Sequence, residues 1–162
     1  MRVLLLTDED SFFQQQTYLP FQEIFVPLQP SSEVNDNSNF IIPMDIEQLR
    51  EYILSLPHVT EDMPFGDDCI VYRIGGKIFA CLSLTGDKHV AIKLTPDRNN
   101  ELRAEYPDIE PAWHWSKKHW SDIYYERSLP SSLVKSLVTE SHDLVFSSLP
   151  KSIREALSSK TS

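Results

Sequence analysis

The sequence predicts an α+β protein: an antiparallel sheet of about four strands or more, packed with helices. Three observations carry this. Apolar residues repeat at helical spacing over 46–56, three runs alternating with period two follow between 68 and 94, and two later helical runs each begin at a proline. The elements alternate in a way that joins neighbouring strands by short turns rather than by helical crossovers, so the strands pair antiparallel.

The first helix starts at Asp45, an N-cap residue with Gln48 three positions on, and Ile46, Leu49, Tyr52, Ile53 and Leu56 form its apolar stripe up to Pro57. Strands are expected over Asp68–Ile74 and Lys77–Leu84, flanking Gly75-Gly76, and a turn at Thr85-Gly86-Asp87-Lys88 leads to a third over His89–Leu94. In that third strand Val90, Ile92 and Leu94 share a core side, whereas His89, Ala91 and Lys93 share a side open to water. Thr95-Pro96 sets a cap and a first-turn proline for a helix running to about Glu105. A fourth strand is expected over Trp120–Glu126, with Ile123 and Tyr125 alternating against Asp122, Tyr124 and Glu126. Pro130 opens a long helix striped by Leu133, Val134, Leu137, Val138, Leu144 and Val145, and Pro150 opens a short last one.

Residues 1–43 have no clear period and end in a Pro, Ser and Asn-rich stretch, so they read as an extension or linker ahead of a domain over 44–158. Met44 directly precedes the first helix cap and is an alternative initiator. The formal charge is −9, of which residues 1–43 contribute −5 through one basic and six acidic residues, leaving −4 for the rest. An acidic body excludes general electrostatic attraction to nucleic acid, so any DNA contact needs a local basic patch. The apolar run Val3–Leu6 is too short for a signal peptide. With Gly75-Gly76 as a two-residue turn, Cys69 faces Leu82 and Cys81 faces Ile70, which puts the two sulfurs on opposite faces of the sheet. No disulfide is expected, and the cytoplasm is the expected compartment.

Enzyme signatures are missing. The four glycines fall in turns and at Gly66, and there is no phosphate loop, nucleophile elbow or HExxH motif, so a non-enzymatic chain without a cofactor is expected. His114 and His119 lack a cysteine pair to complete a zinc site. Glu61-Asp62 and Asp67-Asp68 bracket Met63-Pro64-Phe65-Gly66 as loop carboxylates; they serve as turn formers or, with Glu47 and Glu51, as an acidic surface for a divalent cation.

The most concentrated feature is Trp113–Trp120, which holds all three tryptophans, two histidines and Lys117-Lys118 in eight residues. Interleaved rings and cations either anchor a loop to the core or form a surface that stacks and attracts anions. Lys93, Lys117 and Lys118 can converge to neutralise phosphates while His119 and Trp120 approach sugar or base edges. The competing reading is a protein-interaction module that uses the same aromatic surface.

From Met44 onward the chain resembles the bacterial MmcQ/YjbR family. The resemblance rests on Pro64–Asp67, the Arg73–Ala80 hairpin, Leu94-Thr95-Pro96, Glu105-Tyr106-Pro107, Lys118-His119-Trp120, Ser141–Val145 and Leu149-Pro150-Lys151, and it spans roughly residues 44–157. It implies a frataxin/CyaY-like α+β fold, compared with the double-wing DNA-binding domain of a phage transcription factor, and hence duplex DNA as the ligand. His142 stands where the family usually has Tyr, and residues 1–43 match nothing in it.

Overall fold

The structure, a computed structural model, describes residues 42–160, so the expectations for residues 1–41 lie outside the described residues. Among the described residues there are four helices and six strands: α1 (Ile46–Ser55), β1 (Val59–Asp62), β2 (Cys69–Ile74), β3 (Lys77–Ser83), β4 (Val90–Lys93), α2 (Pro96–Glu105), β5 (Ile109–Pro111), β6 (Trp120–Ile123), α3 (Ser131–Ser147) and α4 (Lys151–Ser159). All strands join one antiparallel sheet in the order β1-β2-β3-β4-β6-β5, with β1 and β5 at its edges.

Local signals set the helix ends as expected. Asp45 and Gln48 form a reciprocal capping box at α1, the Gln48 amide donating to Asp45 Oδ1 at 2.8 Å. Thr95 caps α2 ahead of Pro96. α1 and α3 cover one face of the sheet, where Leu49, Ile53, Phe79, Ile92, Leu137 and Val138 join a fully buried core. Burial of that apolar face is what holds helices as short as α1 in place, since ten residues are too few to be helical alone.

The β2–β3 hairpin turns through Gly75 and Gly76, both at positive φ (55° and 82°), the backbone that a two-residue turn of this type requires. A Cβ on Gly75 would also lie 2.8 Å from Leu149 Cδ1, so a side chain there would have to displace Leu149 as well as adopt a strained backbone. Beyond the turn the register shifts. Arg73 pairs with Ile78 but Tyr72 pairs with Ala80, leaving Phe79 as the extra residue of a β-bulge. The bulge corrects the expected cysteine geometry: Cys81 lies opposite Val71 and Cys69 opposite Ser83, so both sulfurs are on the same face. Both thiols are free.

Ser141, in the middle of α3, serves this bulge. Its Oγ donates to the Phe79 carbonyl oxygen at 2.6 Å and accepts from the Lys93 amide at 2.9 Å, so one hydroxyl satisfies two backbone groups of adjacent strands. Ser141 and His142 are buried beside the apolar stripe of α3, and His142 Nε2 bonds with the Pro57 carbonyl oxygen at 2.9 Å.

Two strands were absent from the expectation, and a third is shorter. β1 lies where Glu61 and Asp62 were read as loop carboxylates. Instead Glu61 pairs with Arg50, whose guanidinium holds the Glu61 carboxyl below its ordinary pKa, and Asp62 pairs with Arg73 at 3.2 Å. β5 is the three-residue edge strand Ile109–Pro111. β6 stops at Ile123 rather than Glu126, because the chain turns there: the Arg127 amide donates to the Tyr124 carbonyl oxygen and the Arg127 side chain reaches Asp108.

Candidate functional site

The second face of the sheet, away from α1 and α3, carries its own small core. Val71, Cys81, Ala91, Ala112 and Trp120 are buried there, with Cys69, Ile78 and Trp115 packed against them. This corrects the reading of the β4 face bearing Ala91 as open to water: Ala91 is only 3% exposed. The segment between β5 and β6 folds back over that face, and Trp115 stacks on Trp120 with ring centroids 4.5 Å apart.

The tryptophan-rich segment is thus divided in exposure. Trp120, at 7% exposure, is a core residue and has little surface to offer a ligand; Trp113, at 78%, is free to do so. Lys117 Nζ lies 5.7 Å from the centre of the Trp113 ring.

The fold does gather the lysines singled out from the sequence. Lys93 is the register partner of Trp120. Lys117, Lys118 and His119 form the turn that enters β6, closed by the His119 and Trp120 amides donating to the Ser116 carbonyl oxygen at 3.0 and 2.9 Å. The Leu94 amide donates to the His119 carbonyl oxygen at 2.9 Å, fastening that turn to the end of β4. All five residues therefore sit at one end of the β4–β6 pair.

Two side chains of α2, unnoticed in the sequence, clamp this turn from behind. Arg103 donates to the carbonyl oxygens of Lys117 (2.8 Å) and Trp120 (2.7 Å) and to Ser121 Oγ (3.0 Å). Burial pulls the Arg103 pKa below its ordinary value, while Asp122 acts the other way. Asn99, fully buried, donates to the Lys118 carbonyl oxygen at 3.2 Å and accepts from Ser121 Oγ at 2.7 Å. A polar residue on α2 facing the sheet was the available signal, and Asn99 sits four residues before Arg103 on the same helix.

Position rather than charge pairing sets the lysines of this turn apart from other cations. Arg50, Arg73, Lys88, Arg98, Arg127 and Lys151 each reach a carboxylate. Among the described residues Lys93, Lys117 and Lys118 form no ion pair within 4.0 Å, as is also true of Lys77, Arg103, Lys135, Arg154 and Lys160, but only these three lysines meet at the end of the β4–β6 pair.

The sequence model of the YjbR family matches residues 54–144, more than half of the chain. The chain belongs to the YjbR family. Within it, the uncharacterised protein YbdF of Escherichia coli O157:H7 is 35% identical over 106 residues, covering 65% of this chain and 87% of YbdF. The uncharacterised protein YjbR of Escherichia coli K12 is 27% identical over 115 residues, 70% of this chain and 98% of that one. A crystal structure of a Deinococcus radiodurans protein with a DUF419 domain superposes with a TM-score of 0.65 at 31% identity, covering 70% of this chain and 87% of its own. A Pseudomonas syringae protein gives 0.56 at 26% identity, covering 62% and 98%. The two superposed structures share the fold described above, and the YjbR match spans the lysine turn. No helix among the described residues is long and apolar enough to cross a membrane.

The thiols of this YjbR-family chain differ in accessibility. Burial, followed by the neighbouring Cys69 thiol, pushes Cys81 up to about 12, whereas Cys69 is partly exposed. Native protein at pH 8 is expected to react with iodoacetamide at Cys69 well before Cys81, with both modified once the chain is unfolded; peptide mass mapping over time checks the order.

Proposed function

We propose that this protein is a non-enzymatic binder of duplex DNA, with the lysine turn on the phosphate backbone. The observation that supports this is the meeting of Lys93, Lys117 and Lys118, none of them paired with a carboxylate among the described residues, at one end of the β4–β6 pair, the last two on backbone that Arg103 and Asn99 hold in place. In a chain of net charge −9, cations left free of carboxylates at one strand end make a local patch, and clamped backbone lowers the ordering entropy of binding. Trp113, exposed beside Lys117, is positioned to lie against sugar or a groove edge, a role that Trp120 is too buried to fill.

Fluorescence titration with a duplex at two salt concentrations tests the proposal. Three phosphate contacts release roughly 0.9 counterion each, so affinity falls about 40-fold between 50 and 200 mM salt. Lys117→Ala with Lys118→Ala removes about two units from the salt slope and leaves the melting temperature unchanged. Affinity indifferent to salt, or to that double substitution, rules the proposal out.

A further inference from the structure

The second face of the sheet also holds a cavity, well separated in chemistry from the lysine turn. Its volume is about 680 Å³, within the range of sites that enclose small organic molecules. Its floor is the register pair Cys81 and Ala91, both buried. Phe65 and Trp115 wall one side, edge to face at 6.4 Å, and the stack on Trp120 fixes the Trp115 ring.

Asp122 lines the cavity from β6, with its side chain only 6% exposed. Oδ2 accepts the Trp113 amide at 3.1 Å. Oδ1 accepts no hydrogen bond from the described residues; the nearest basic nitrogen is His89 Nε2, at 3.8 Å. His89 is held in that position through Nδ1, which donates to the Asp87 carbonyl oxygen at 2.7 Å, since a carbonyl can only accept. Oδ1 is therefore open to a donor from a molecule in the cavity, and a charged donor makes the stronger bond there.

The lining has a definite sign. It contains Asp68 and Asp122 but no lysine or arginine. Burial holds the Cys81 thiol neutral. A phosphate or carboxylate entering here meets two carboxylates and no fixed cation, so anions are disfavoured. Aromatic faces beside a buried carboxylate instead suit a flat cation, attracted by the rings and bonded by the acid.

We propose that this cavity is a binding site for a small flat organic cation, such as an aromatic amidinium or amine, whose N–H groups bond Asp122 Oδ1 and whose ring lies against Trp115 and Phe65. The site draws on Asp122, His89 and Phe65 rather than on the lysines, with Asp122 also holding the Trp113 amide.

Benzamidine is a suitable probe, with benzamide as its neutral counterpart and benzoate as its anionic one. Titrations of the full chain followed by amide and indole NMR shifts are expected to show saturable benzamidine binding, with shifts centred on His89, Ala91, Trp115 and Asp122. Benzamide is expected to bind at least about tenfold more weakly, the difference between a charge-assisted and a neutral hydrogen bond. Asp122→Asn keeps the shape and an oxygen for the Trp113 amide while removing the charge, and lowers benzamidine affinity by about the same factor. Phe65→Ala, at an exposed wall residue, weakens binding several-fold in a protein of unchanged melting temperature, which serves if Asp122→Asn perturbs folding. Equal binding of all three probes, shifts centred elsewhere, or no saturation by benzamidine at millimolar concentration would overturn the proposal. DNA affinity stays unaltered by Phe65→Ala, so the two sites succeed or fail separately.

Discussion

Ser141→Ala is expected to lower the free energy of unfolding by about 3 kcal/mol, because it strands two backbone groups at once. The Phe79 carbonyl and the Lys93 amide both end on Ser141 Oγ, at 2.6 and 2.9 Å. Phe79 is the extra residue of the β3 bulge and lacks a register partner, so its carbonyl has no strand to turn to once the hydroxyl is gone. Ser141 itself is fully buried, which keeps water from substituting. In thermal unfolding the loss reads as a fall of roughly 10 °C in Tm. Ser136→Ala, at an exposed position of the same helix, is the control and leaves Tm unchanged or slightly raised, since alanine is the better helix former. A loss under 1 kcal/mol at Ser141 would mean that the bulge carbonyl finds another donor.

Asn99→Ala is expected to cost about 2 kcal/mol and to loosen the lysine turn. Its side chain spans three attachments: Leu94 and Lys118 carbonyl oxygens on one end and Ser121 Oγ on the other. Ser121 keeps the bond it accepts from Arg103 but loses the acceptor of its own hydroxyl, so the cost falls on that buried donor, on the two carbonyls and on the space left behind. Native-state hydrogen exchange separates the two consequences. Amides around Lys118 and Trp120 should exchange faster than those of the β2–β3 hairpin, whereas uniform acceleration would indicate only a global loss of stability.

These two residues also mark where the sequence stops being legible. The helix caps at Asp45 and Thr95 and the Gly75-Gly76 turn are local signals, each settled by a few adjacent residues, and the structure bears them out. The bulge at Phe79 is not local: it is sustained by a serine 62 positions away. A register counted outward from the turn therefore fails at Tyr72, and with it the assignment of Cys69 and Cys81 to opposite faces. β1 and β5 escape notice for another reason. Val59–Asp62 offers one apolar residue in four, and Ile109–Pro111 is three residues ending in proline, so neither has enough alternation to stand out. Within the candidate sites, the gathering of Lys93 with Lys117 and Lys118 follows from strand order and was approachable. The burial of Trp120 and Asp122 follows from the segment before β6 folding back over the sheet, which no periodicity encodes.

The edges of the sheet have a consequence for how this protein keeps company with itself. β1 is four residues long and carries Glu61 and Asp62, and β5 is three residues long and ends in Pro111, which has no amide to donate. Strands so short, acidic or donor-poor are inferior templates for backbone pairing with another chain, and that protects the native state from edge-to-edge aggregation. Native-state association of this domain is accordingly directed toward side chains on its faces, and away from extension of the sheet from molecule to molecule.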